Sequence, residues 1–243
     1  MTWDWQVFLQ DTGADQTYLE WMISAWGWTL SVAFLGLGIA LLAGAVVGTL
    51  RTLPGDRFAP RVLVGLSYVW VEIFRNVPLL VQVFIWYHVI PALFPPFKSL
   101  PSFLLVVAAL GLFTSARIAE QVRAGIQSLP KGQRQAAMAI GMTTAQSYRL
   151  VILPMAFRII IPPLTSESMN IIKNSSVAFA VSVAELTLFA LQAQEETSRG
   201  IEVYLAVTTL YMLTAFAVNR LMAFIEQRVR VPGLIVAGQS GGH

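Results

Sequence analysis

Charged side chains are scarce in this chain, and those that interrupt its apolar runs limit the chemistry it can do. Arg117, Glu120 and Arg123 fall within ten residues of one another in an otherwise apolar stretch. Arg117 lies about nine residues from the polar end of that stretch, so a guanidinium there needs a partner. Glu120, one helical turn on, would serve as an i,i+3 ion pair. A carboxylate on a passing solute would serve as well, because the guanidinium fork grips a carboxylate bidentately. Glu167, Asn170 and Asn174 share one helical stripe, with Lys173 at its edge. Lipid exposure of Glu167 would cost about 2.5–3.5 kcal/mol on insertion scales. The stripe is therefore expected to face a cavity or another helix, with Lys173 and Asn174 the better placed to meet a solute. Glu72, Arg75 and Asn76 form a third polar group. These residues suit recognition of a polar solute, not bond-making. No G-x-x-x-x-G-K-[ST] or H-E-x-x-H is present. The two histidines are His88, read as interfacial beside Trp86 and Tyr87, and His243.

The elements that must position these residues are membrane spans. The chain of 243 residues is 56% hydrophobic and only 12% charged, against about 25% charged in soluble domains. Its mean hydropathy is +0.66 and its pI about 9.4. The absence of cysteine excludes disulfides and thiolate metal sites. Five spans are predicted, at residues 22–50, 66–90, 102–126, 159–188 and 203–225. In the first, Ala40, Gly44 and Gly48 repeat at four-residue spacing, which lets another helix pack closely. Pro78 is expected to bend the second, and Pro162-Pro163 to start the fourth. Arg51, Arg57 and Arg61 follow the first span around a Pro54-Gly55 turn. The loop at 91–101 holds four prolines and Lys98, and Glu195, Glu196 and Glu202 face Arg199 in a second external loop. Basic residues thus gather on one side, which puts the N-terminus outside and the C-terminus in the cytoplasm. They report topology and do not indicate nucleic acid. Asp4, Asp11, Asp15 and Glu20 stand where a secretory leader would be basic. The Gly-rich tail after Gln227-Arg228-Val229-Arg230 is expected to be mobile.

Residues 135–154 stand apart as polar and small. Local signals make them a helical hairpin. Pro130 fits the first turn of a helix, and Gly141 ends it in a left-handed conformation. Thr143 with Gln146 gives a capping box for the next helix, which Pro154 is expected to stop. Lys131, Arg134 and Arg149 put the hairpin on the cytoplasmic side. A hairpin that lies on a membrane protein is most simply a docking element.

These residues also resemble the EAA loop of ABC importer permeases. Ala136, Ala137, Gly141, Leu153 and Pro154 match its pattern. Gln135 stands where the family usually has Glu, and Val151 where it usually has Ile. The resemblance continues over VEIFRNVPLLVQ from Val71, over SARIAEQVRAGIQSLPKGQ, and over LPMAFRIIIPPLTSESMNIIKNSS. It points to the polar amino acid permeases, and among them to those of glutamate/aspartate importers. It implies an all-α, five-helix type I importer fold: one domain over residues 1–243, with a cytoplasmic coupling loop at 131–154. It also implies a bacterial inner-membrane location and ATP hydrolysis on a separate subunit. The expected partners are two ATP-binding cassette subunits, a second permease (identical or paralogous), a periplasmic amino-acid-binding protein and membrane lipid. No cofactor is expected. Gln135, Ala136, Ala137, Gly141, Leu153 and Pro154 would couple to the ATPase. Arg75, Arg117, Glu120, Glu167, Asn170, Lys173 and Asn174 would line the substrate path, which opens by alternating access. A permease for glutamine or asparagine is the nearest alternative. A secondary transporter would need intramembrane acidic relays and inverted repeats, and a plain anchor would not need the polar stripe.

Overall fold

The computed structural model describes residues 3–54 and 58–229. Gly55, Arg57, Arg230, His243 and the Gly-rich tail lie outside the described residues. The described chain is helical throughout, without a β-strand. In order it forms α1 (Tyr18–Leu50), α2 (Phe58–Asn76), α3 (Leu79–Phe84), α4 (Ile90–Leu93) and α5 (Ser102–Gln127), then α6 (Lys131–Ala139), α7 (Thr144–Ser147), α8 (Leu153–Asn174), α9 (Leu186–Thr197) and α10 (Gly200–Val229). Among the described residues four helical stretches are long and apolar enough to cross a membrane: Tyr18–Leu50, Ser102–Gln127, Thr144–Val181 and Gly200–Val229. The bent pair of Arg61–Asn76 and Leu79–Leu93 makes a fifth if counted as one span. At 33 residues α1 is roughly 50 Å long, more than the ~30 Å hydrocarbon layer requires.

Prolines account for three departures from the sequence reading. The 66–90 stretch is not one helix with a bend, because α2 ends at Asn76 and α3 begins at Leu79. Proline disfavours helical geometry in the residue before it, and Asn76 turns its amide back onto the Glu72 carbonyl at 2.8 Å. Pro154 does not stop the hairpin's second helix. A π turn, Tyr148–Ile152, carries that helix directly into α8. The wider turn accommodates a ring that would clash with the carbonyl four residues back. A second π turn, Ile85–Val89, precedes Pro91 in the same way. Pro162 and Pro163 lie inside α8, not at its start. The fourth span closes at Ser182 (φ 57°), and part of what reads as external loop is α9.

By compactness the chain divides into two units. The first comprises Met1–Ala40, Val77–Phe113 and Ser168–Ala217. Its core joins Val7 and Phe8 of a short 3-10 helix to Tyr18, Met22 and Ala25 of α1, Phe189 and Ala193 of α9, and Val203 and Val207 of α10. Glu185 caps α9, accepting from the Leu188 and Thr187 amides at 3.0 and 2.9 Å and from the Tyr211 hydroxyl at 2.9 Å. Arg199 pairs with Asp4 at 3.4 Å.

The second unit comprises Leu41–Asn76, Thr114–Glu167 and Val218–His243. Here the small-residue repeat of α1 meets α5. A Cβ on Gly44 would lie 2.7 Å from Ile118, and one on Gly48 would lie 2.6 Å from the Ala119 carbonyl. The glycines are there for backbone approach, as their spacing predicts. Val71, Ala116 and Ala119 form the adjoining apolar cluster with Val47, Trp70 and Phe74.

Candidate functional site

The corner of the hairpin is built as Gly141, Thr143 and Gln146 specify. Gly141 has φ +89°, and no atom lies within 4 Å of where its Cβ would be, so the requirement is conformational. The Met142 amide donates to the Ala137 carbonyl at 3.1 Å and the Gly141 amide to Met138 at 3.0 Å. That pair of bonds is a Schellman motif. Thr143 and Gln146 exchange both capping-box bonds. Pro130 sits one position earlier than expected, as the N-cap of α6. Around this corner Gln135, Ala136, Gly141 and Pro154 are exposed, Leu153 is half-buried and Ala137 is buried. Met138, Ile140 and Leu150 are exposed as well, Ile140 to 75%. The corner is thus tightly capped, and the hairpin shows three large apolar side chains on its surface. A cleft of about 480 Å³ at its foot is lined by Thr52, Ile126, Lys131, Arg134, Met138 and Tyr148, among others.

Behind the hairpin the charges of α5 sort into two groups. Glu120 is gripped from several sides. Its Oε1 accepts from Arg51 Nη1, and its Oε2 accepts from Arg123 Nη2 at 2.8 Å and Nε at 3.0 Å. Arg75 Nη1 stands 3.9 Å away. The Arg51 side chain is only 4% exposed, and its guanidinium lies 4.3 Å from the centre of the Tyr68 ring. Arg117 is not the partner of Glu120. It faces Glu167 instead, Nε to Oε2 at 3.3 Å, off hydrogen-bond alignment. Gln121 Nε2 donates to the other Glu167 oxygen at 3.2 Å. Glu167 is buried, whereas the Arg117 side chain is 41% exposed. Further along α8, Asn170 and Asn174 are half-buried and Lys173 is exposed. Arg51 is the residue that sequence reading undervalued, as a marker of topology. Its position just past an apolar run gave no sign of a partner 69 residues away.

Residues 40–231 match the family described as binding-protein-dependent transport system inner membrane component. The chain belongs to this family of importer permeases. Over 242 residues it is 42% identical to the glutamate/aspartate import permease protein GltJ of Escherichia coli K12, covering 95% of this chain and 96% of that one. It is 30% identical to the glutamine transport system permease protein GlnP of the same strain, over 84% of this permease and 90% of the relative. Among solved structures, an amino acid ABC transporter crystallised with histidines matches with TM-score 0.76 and 30% identity, over 94% and 100% of the two chains. The inward-facing MetNI methionine transporter shares the permease fold, at TM-score 0.75 and 21% identity over 88% and 98%.

Proposed function

We propose that this permease forms the translocation path of an ATP-driven importer whose substrates are glutamate and aspartate. The observation that carries the reading is the 42% identity, over 95% of the chain, to a permease named for import of those two amino acids. Arg117 supports it, as a half-exposed guanidinium whose ion pair to Glu167 is loose enough for a substrate carboxylate to compete. In this reading the hairpin is the coupling element. Met138, Ile140 and Leu150 join Gln135, Ala136 and Gly141 in a surface that seats on an ATP-binding subunit, one per permease and two per importer. ATP closes the ATPase pair, the hairpins follow, and the path opens outward to a binding protein. The N-terminus is then periplasmic and the C-terminus cytoplasmic, because Arg51, Lys131, Arg134, Arg149 and Arg228 share one side. Asn170, Lys173 and Asn174 continue the substrate path. A glutamine importer is the second reading, favoured by the likeness to a glutamine permease.

Competition decides between them. Proteoliposomes holding the permease, its ATPase and the binding protein would import labelled glutamate. Unlabelled aspartate is expected to suppress that signal and glutamine to leave it intact. Equal suppression by glutamine would reverse the assignment.

A further inference from the structure

We propose that Tyr148, Thr52, Arg51 and Glu120 form a latch that makes the hairpin and the inner end of α5 move as one body. The inference rests on the reading of the hairpin as the coupling element.

The chain of contacts starts at the π turn. Tyr148 opens that turn and is buried, and its hydroxyl donates to the Thr52 carbonyl at 2.6 Å, with Thr52 Oγ1 at 3.2 Å. Thr52 lies just beyond the last turn of α1, where helix carbonyls have no intrahelical partner. Tyr148 therefore satisfies an acceptor that α1 itself cannot. The Thr52 segment is not a slack loop. Its amide and hydroxyl both bond the Thr49 carbonyl, at 3.0 and 2.7 Å, and the Leu53 amide bonds Leu50 at 3.2 Å. Any displacement of Tyr148 is thus delivered to the end of α1. The adjacent residue, Arg51, carries it further. Its buried guanidinium bonds Glu120 of α5 and stacks over Tyr68 of α2. Glu120 lies one helical turn from Arg117. A push on the hairpin so reaches α5 through short polar contacts, which are directional where apolar packing would let surfaces slide.

The latch makes distinct demands on its parts. Tyr148→Phe keeps the ring and removes only the hydroxyl. Such a variant is expected to bind the ATPase and hydrolyse ATP as the parent does, yet to import about fivefold less amino acid per ATP, the scale of one lost hydrogen bond. A merely structural tyrosine would lower thermal stability and leave that ratio unchanged. Rigidity can also be read without a damaging variant, since the chain has no cysteine. Spin labels on Ala124→Cys of α5 and Ala145→Cys of α7, both exposed, report the separation within the assembled importer. One narrow distance, identical with and without trapped nucleotide, is the expected result, and Tyr148→Phe should broaden it. The proposal is overturned if the parent distance changes with nucleotide, or if Tyr148→Phe imports normally per ATP. Failure of the coupling reading itself would look different: the parent hairpin would bind no ATPase.

Discussion

Two ionised groups on α5, one helical turn apart, have been given opposite settings. Glu120 has both oxygens engaged by Arg51 and Arg123, with Arg75 nearby. Arg117 has one carboxylate, Glu167, at 3.3 Å and off alignment, and keeps 41% of its side chain exposed. A carboxylate whose two oxygens are both taken by guanidinium groups has little bonding capacity left for a solute, which favours a structural role for Glu120. A charge left half-exposed with a loose partner can exchange that partner for another. The difference teaches that a polar residue inside a span is not in itself a substrate residue. What matters is whether its bonding capacity is already used.

The comparison can be broken first at Glu120. Glu120→Ala would strand the buried Arg51, and a loss on the order of 3 kcal/mol is expected, the lower end for breaking a buried pair, since Glu120 retains some exposure. Thermal unfolding of the purified importer measures it. An unchanged melting temperature would mean that Glu120 is as dispensable as a surface carboxylate. Next comes the packing that sets α5 against α1. Gly48→Ala places a methyl 2.6 Å from the Ala119 carbonyl, and overpacking of this kind costs about 1–3 kcal/mol. The same unfolding assay should show a smaller drop than Glu120→Ala.

The hairpin sharpens the comparison with an effect that falls more on assembly than on stability. Gly141→Val puts a branched residue at φ +89°, at a cost on the order of 1 kcal/mol. The permease should still insert, while co-purified ATPase and uptake fall together. Normal uptake would remove Gly141 from the coupling role. The smallest effect is expected at Gln135, which is exposed. Gln135→Glu should stay within about 0.5 kcal/mol and leave uptake intact. A severe loss would mean that the surface it meets is acidic.

The spans and the hairpin were legible because their signals are local. Apolar run length, Gly141 before Thr143, and the Thr143–Gln146 box each lie within a few residues of what they specify. The glycine repeat of α1 was legible for the same reason, although its partner helix was not. What escaped was decided at long range or by compensation. The Glu120–Arg123 pair is local, but Glu120's other partner, Arg51, follows α1 and the partner of Arg117 comes from α8, and nothing near them in sequence names Arg51 or Glu167. Pro154, Pro162 and Pro163 read as boundaries because proline removes a donor. The π turn at Tyr148–Ile152 shows how a helix absorbs that loss at Pro154 and continues. The α9 helix was hidden because its end carries Glu195 and Glu196, which look like an acidic loop.

Arg117 is where the proposed substrate contact is most open to test. The most direct measurement compares Arg117→Gln with the parent importer in proteoliposomes that hold the ATPase and the binding protein, following glutamate uptake and ATP hydrolysis together. Uptake of glutamate and aspartate should fall while hydrolysis stimulated by the binding protein persists. Import at the parent rate would contradict the account and leave Arg117 as half of a structural ion pair with Glu167.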